Sequence, residues 1–68
     1  MHELGLAMAL VEQVQALARR DTFVQVKTVT VCIGQWSGVD REAFAFCFPM
    51  AAQGTLLESA QLLILEVP

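Results

Sequence analysis

Apolar residues recur along the first third of the chain at spacings of three and four. Leu6, Leu10, Val14 and Leu17 form the stripe, and Ala7, Val11 and Ala18 widen it. That period predicts a helix from Leu4 to Arg20 with one face turned to a core. Glu12, Gln13, Gln15 and Arg19 fall mostly off the stripe. Glu3 at the start and Arg19-Arg20 at the end both complement the helix dipole. Gly5 weakens the first turn, by up to about 1 kcal/mol relative to Ala.

After Asp21-Thr22 the pattern changes. Phe23 to Ile33 is rich in β-branched residues and predicts a strand. With period two, Val29, Val31 and Ile33 face the core, while Thr28, Thr30 and Cys32 face outward. Gly34 to Val39 is a loop bounded by glycines that permit a sharp turn. Trp36 within it is either a lid on the core edge or an exposed partner-binding anchor, and the lid is favoured. Asp40 then N-caps a second helix with Glu42 in its first turn. Phe44, Cys47, Phe48 and Ala51 share its apolar face. Pro49 removes a helical hydrogen bond, at a cost of roughly 3 kcal/mol, so a kink there or an interruption at Phe48 is expected before Gly54 ends the segment. Ala60 to Val67 is the second strand, with Leu62 and Ile64 inward and Leu63 and Leu65 outward.

The order helix–strand–helix–strand defines an α/β (α+β) unit, two helices packed on one face of a small sheet. A strand–helix–strand crossover makes neighbouring strands parallel. Two strands are marginal alone and leave both edges open. An outward face carrying Leu63 and Leu65 calls for a cover, whether a second copy, a partner or a further segment.

Composition narrows the function. Sixty-eight residues make one domain, and 56% hydrophobic against 16% charged residues excludes disorder. A domain this short has a thin core and often leans on a metal, a disulfide or a partner chain. The net charge of −3 excludes the basic surface that nucleic acid or an anionic membrane requires. There is no apolar run long enough to span a bilayer, and Glu3 stands where a signal peptide carries basic residues. A cytoplasmic setting is therefore expected. Cys32 and Cys47 form no CxxC pair and are read as reduced, small hydrophobes. Together with His2 they fall short of the four ligands of a structural zinc site.

The candidate chemistry lies in Met1-His2-Glu3, at the start of the first helix. His2 is the only histidine. A free α-amine, one or two ionised amides and an imidazole can close fused chelate rings around one divalent ion. Planar all-nitrogen donors of this kind suit Ni(II) or Cu(II). Protons compete for these nitrogens, so the metal is released as pH falls below neutrality. No Ser/His/Asp set, no paired carboxylates and no phosphate-cradling glycine loop point to an enzyme.

Met1-His2-Glu3-Leu4, the Ala7/Val11 stripe, Ile33-Gly34 followed by Ser37-Gly38-Val39, Ala43-Phe44 with Phe46 and Phe48, Gly54-Thr55 and Glu66-Val67-Pro68 together resemble the HypA/HybF hydrogenase-maturation nickel chaperones. The resemblance covers the whole chain. It implies a nickel-binding domain that holds Ni(II) through Met1, His2 and Glu3 (terminal amine, backbone nitrogens and imidazole) for delivery to [NiFe]-hydrogenase maturation. Asp40 matches a position sometimes placed near the metal, although its N-cap duty explains it equally well. The implied partners are a maturation GTPase and the hydrogenase large subunit. The family continues into a zinc domain with two CxxC pairs, then a strand that completes the sheet. The chain stops at Pro68, where that domain would begin, so a single nickel-binding domain without zinc is expected. Gln35, Gly5, Met8 and Pro49 depart from the residues usual in the family. The rival reading is a metal-independent interaction module forming a homodimer or domain swap through Leu63, Leu65 and the open strand edges, with Trp36 as a further partner contact.

Overall fold

The structure, a computed structural model, describes residues 2–21 and 25–68. Helix α1 spans Glu3–Arg20, strand β1 Thr28–Gly34, helix α2 Arg41–Ala52 and strand β2 Gln61–Val67. The two strands pair in parallel, with Val29 opposite Leu62 and Val31 opposite Ile64. This is the α+β order that the sequence predicts.

Both helices cover the Val29/Val31/Leu62 face. The central core joins Val11 of α1, Val29 of β1, Phe48 and Ala52 of α2, and Leu57 of the turn after α2. The helices run in the same direction. Their starts meet where the Asp40 N–H donates to Glu3 Oε2, and further along the Leu56 N–H, in the turn after α2, donates to Gln15 Oε1 of α1.

The face α1 turns inward is rotated from the predicted stripe. Ala7, Val11 and Ala18 are buried, Leu10 and Val14 half-buried, whereas Leu6 and Leu17 are exposed. The reason is steric: two helices crossing closely need small side chains between them, and the longer leucines flank that seam. On α2, Phe44, Phe48 and Ala52 are buried, while Cys47 and Ala51 are only half-buried. Pro49 does not interrupt α2, which continues to Ala52. Pro49 and Ala45 are both exposed, so the carbonyl deprived of its helical donor lies on the watered side of the helix.

β1 is shorter than predicted. Phe23 and Val24 lie outside the described residues, and Gln25–Lys27 are not in a strand. β2 begins only at Gln61, opposite Thr28, so Gln25 and Val26 have no strand to pair with, and Lys27 contributes only its carbonyl, which accepts the Gln61 N–H at 2.8 Å. The Val26 N–H donates instead to the Leu56 carbonyl at 3.3 Å. β2 itself follows the predicted alternation, with Leu62 and Ile64 half-buried and Leu63 and Leu65 exposed.

The turn between α2 and β2 holds a core residue that periodicity passed over. Leu57 is fully buried. Around it, the Thr55 hydroxyl donates to the Ala52 carbonyl at 2.6 Å and accepts the Leu57 N–H at 3.0 Å. Gly54, at φ +76°, supplies the left-handed step that starts this turn.

Candidate metal site at the start of the first helix

His2 occupies the N-cap position of α1, and its side chain makes no cap hydrogen bond. Its carbonyl accepts the first helical bond, from the Leu6 N–H at 3.1 Å. The amides of Glu3, Leu4 and Gly5 therefore precede the helical ladder, as the opening amides of any helix do. The imidazole is exposed. Met1, whose amine the sequence reading includes, lies outside the described residues.

Glu3 is half-buried, and its carboxylate reaches across to the second helix. Its Oε2 accepts the Asp40 N–H at 3.0 Å. That hydrogen bond holds the Glu3 carboxyl below its ordinary range, against partial desolvation and the nearby negative charge of Asp40, which act the other way. Asp40 caps α2 as predicted: its Oδ1 accepts the Ala43 N–H at 3.1 Å, and its carbonyl accepts the Phe44 N–H at 2.9 Å. Glu3 and Asp40 are thus neighbours through a backbone donor, and each carboxylate already has a hydrogen-bond partner.

His2, Glu3, Leu4, Gly5, Met8, Ala43 and Cys47 line one shallow concavity where the two helices begin. Cys47 is half-buried there, while Cys32 is exposed on the outer sheet face; both are free thiols. Cys32 faces outward beside Leu65, as the period-two pattern of β1 predicts. Among the described residues, no three His, Cys, Asp or Glu side chains are grouped so as to hold a metal ion.

Trp36 departs from its expected place. It is 87% exposed, so it is no lid on the core. The β1–α2 connection carries it outward in a turn closed by the Ser37 N–H donating to the Gly34 carbonyl at 3.1 Å. Gly38 follows at φ +82° and redirects the chain toward Asp40. Leu63 and Leu65 lie on the other side of the sheet from the helices, continued by an exposed Val67. The site and the outer sheet face are therefore separate surfaces. The Glu3–Asp40 contact was beyond sequence reading, since no periodicity links residues 37 positions apart.

Two helices and two parallel strands in this order form an α+β unit. Its family is also defined. The family model described as "Hydrogenase/urease nickel incorporation, metallochaperone, hypA" matches residues 1–68, and the chain belongs to this family. It is 42% identical over 67 residues to the hydrogenase maturation factor HypA of Chlorobium limicola, covering 98% of this chain and 58% of the relative. It is 44% identical over 68 residues to that of Synechococcus elongatus, covering 100% of this chain and 61% of the relative. The factor of Beijerinckia indica is 41% identical over 68 residues, again 100% of this chain and 60% of the relative. The chain spans about three fifths of the length of these curated relatives. No helix among the described residues is long and apolar enough to cross a membrane.

Proposed function

We propose that this chain holds Ni(II) as cargo through the Met1 amine, the His2 imidazole and the backbone nitrogens of His2 and Glu3, and hands it on for hydrogenase maturation. Family membership supports nickel as the ion. The observation that carries the reading is the position of the first helical bond. Because the ladder opens with the Leu6 N–H on the His2 carbonyl, the Glu3 amide can ionise and bind without breaking a turn of α1. His2, the residue just before that amide, is exposed. Such a nitrogen set favours a planar ion and leaves its two faces open to an incoming ligand, which suits a carrier rather than a permanent site. The recipients, by family resemblance, are a maturation GTPase and the hydrogenase large subunit.

Nickel titration of the untagged chain by calorimetry tests this reading. One equivalent should bind at neutral pH, and His2→Ala should weaken binding more than about 100-fold, beyond what loss of a merely supporting contact produces. Equal affinity in the variant would overturn the proposed site.

A second reading rests on the outer sheet face, where Leu63, Leu65 and Val67 are 42%, 52% and 40% exposed. On that reading the chain is a metal-independent dimerisation module. Sedimentation at micromolar concentration, with and without nickel, separates the two. A dimer without nickel affinity favours the module, and a nickel-binding monomer favours the carrier.

A further inference from the structure

We infer that the outer surface of the two helices is a docking groove for a basic amphipathic helix of a partner protein.

The groove follows from helix geometry. Phe44, Phe48 and Ala52 are the buried residues of α2, and two residues further along a helix is more than half a turn. Phe46 and Met50 therefore point away from the core, and they are 74% and 52% exposed. Between them and α1 lie Ala43 and Cys47, both half-buried, which share a shallow concavity with Leu4, Gly5 and Met8 of the first helix. Met8 is 56% exposed. Small residues thus form a floor, with Leu4 and Met8 as one wall and Phe46 and Met50 as the other. Two unbranched methionine side chains let those walls adapt to an apolar guest. His2 and Glu3 close the end of this concavity, and the groove depends neither on them nor on nickel.

Backbone and charge together select the occupant. Helical N–H and C=O groups along this face are already paired, so it offers no edge to an added strand. The valley between two helices running side by side instead seats the side-chain ridge of a third. α2 has 12 residues, about 18 Å, which matches a guest helix of about three turns. Glu42 stands one turn before Phe46, and Glu12 one turn after Met8; both are exposed, so each wall ends in a carboxylate. The basic residues lie elsewhere. Arg41 lines the cavity on the β2 side of α2, with Ala60, Leu62 and Ile64, and Lys27 precedes β1. Arg19 and Arg20 occupy the last turn of α1, past the level where Gln15 meets the turn after α2. A second copy of this chain would bring its own carboxylates to the same rim. Lysines or arginines flanking an apolar stripe meet their complement there.

Fluorescence anisotropy on the whole, metal-free chain tests this. Two labelled helical peptides of about 14 residues serve as probes, one with a leucine stripe flanked by lysines, the other with glutamates in place of the lysines. The lysine peptide should bind at least about 10-fold tighter than the glutamate peptide, and added salt should narrow the difference. Met8→Gln and Phe46→Ser should each weaken the lysine peptide by about 10-fold, while Leu65→Ser on the outer sheet face keeps it within about twofold. Circular dichroism checks that the variants fold, and if one of the helix variants does not, the other decides. No binding, equal binding of the two peptides, or a loss in Leu65→Ser but in neither helix variant would overturn the inference. So would a dimer in sedimentation that Phe46→Ser dissolves, since a second copy would then be the occupant. The nickel titration is a separate measurement, and a chain that bound no nickel would leave this groove standing.

Discussion

The side-chain oxygen of Gln15 accepts the backbone N–H of Leu56 at 3.0 Å, joining the middle of α1 to the turn that follows α2. The bond is partly buried, and it lies beside the core formed by Val11, Val29, Phe48, Ala52 and Leu57. Gln15→Leu removes the acceptor and leaves that N–H without its partner. Urea denaturation of the variant should show a loss of about 1–3 kcal/mol. An unchanged midpoint would mean that water replaces the glutamine there.

Leu57 lies in no helix or strand, yet it is fully buried. In a chain of 68 residues each such side chain is a large share of the core. Leu57→Ala should cost about 2–5 kcal/mol by the same denaturation measurement, a sizeable fraction of a small domain's stability. A loss of a few tenths would show that the turn collapses onto the cavity.

Glu3 links stability to pH. Its carboxyl titrates below the ordinary value of 4.5 because the Asp40 N–H donates to the ionised form. A carboxyl whose folded pKa is depressed stabilises the fold above its unfolded pKa, and that contribution is lost as pH falls through the folded value. The metal-free chain should therefore melt above Glu3→Gln at about pH 6, and the gap should close toward about pH 3 as Glu3 becomes protonated. A gap independent of pH would assign the difference to something other than this charge.

Pro49 stands nine residues into α2, where a helix former would restore one backbone bond. Pro49→Ala should raise stability by about 1 kcal/mol, less than the full propensity difference because the site is exposed and the Ala45 carbonyl is open to solvent. Thermal unfolding checks this, and a decrease would show that the ring packs usefully where it is.

Element order, parallel pairing and the inward face of both strands were legible because period two and period 3.6 survive in Val29, Ile33, Leu62 and Phe48. The α1 face was read one step off, since hydrophobicity ranks Leu6 and Leu17 above the alanines that close packing selects. β1 was read too long because strand propensity does not report where a partner strand begins. Leu57 escaped notice for lack of any period around it, and Trp36 because a turn gives no signal of which way its aromatic residue points. At the site, the Asp40 cap was legible from local spacing, whereas its bond to Glu3 depends on how the two helices meet.

The central claim is that the chain's own free start binds nickel, and one added residue ahead of Met1 tests it most directly. The extension leaves His2, Glu3 and every described contact in place while turning the Met1 amine into a peptide nitrogen. Calorimetric titration at neutral pH should show one nickel bound by the unextended chain and binding weaker by more than about 100-fold in the extended one. Equal affinity in the two would contradict the account.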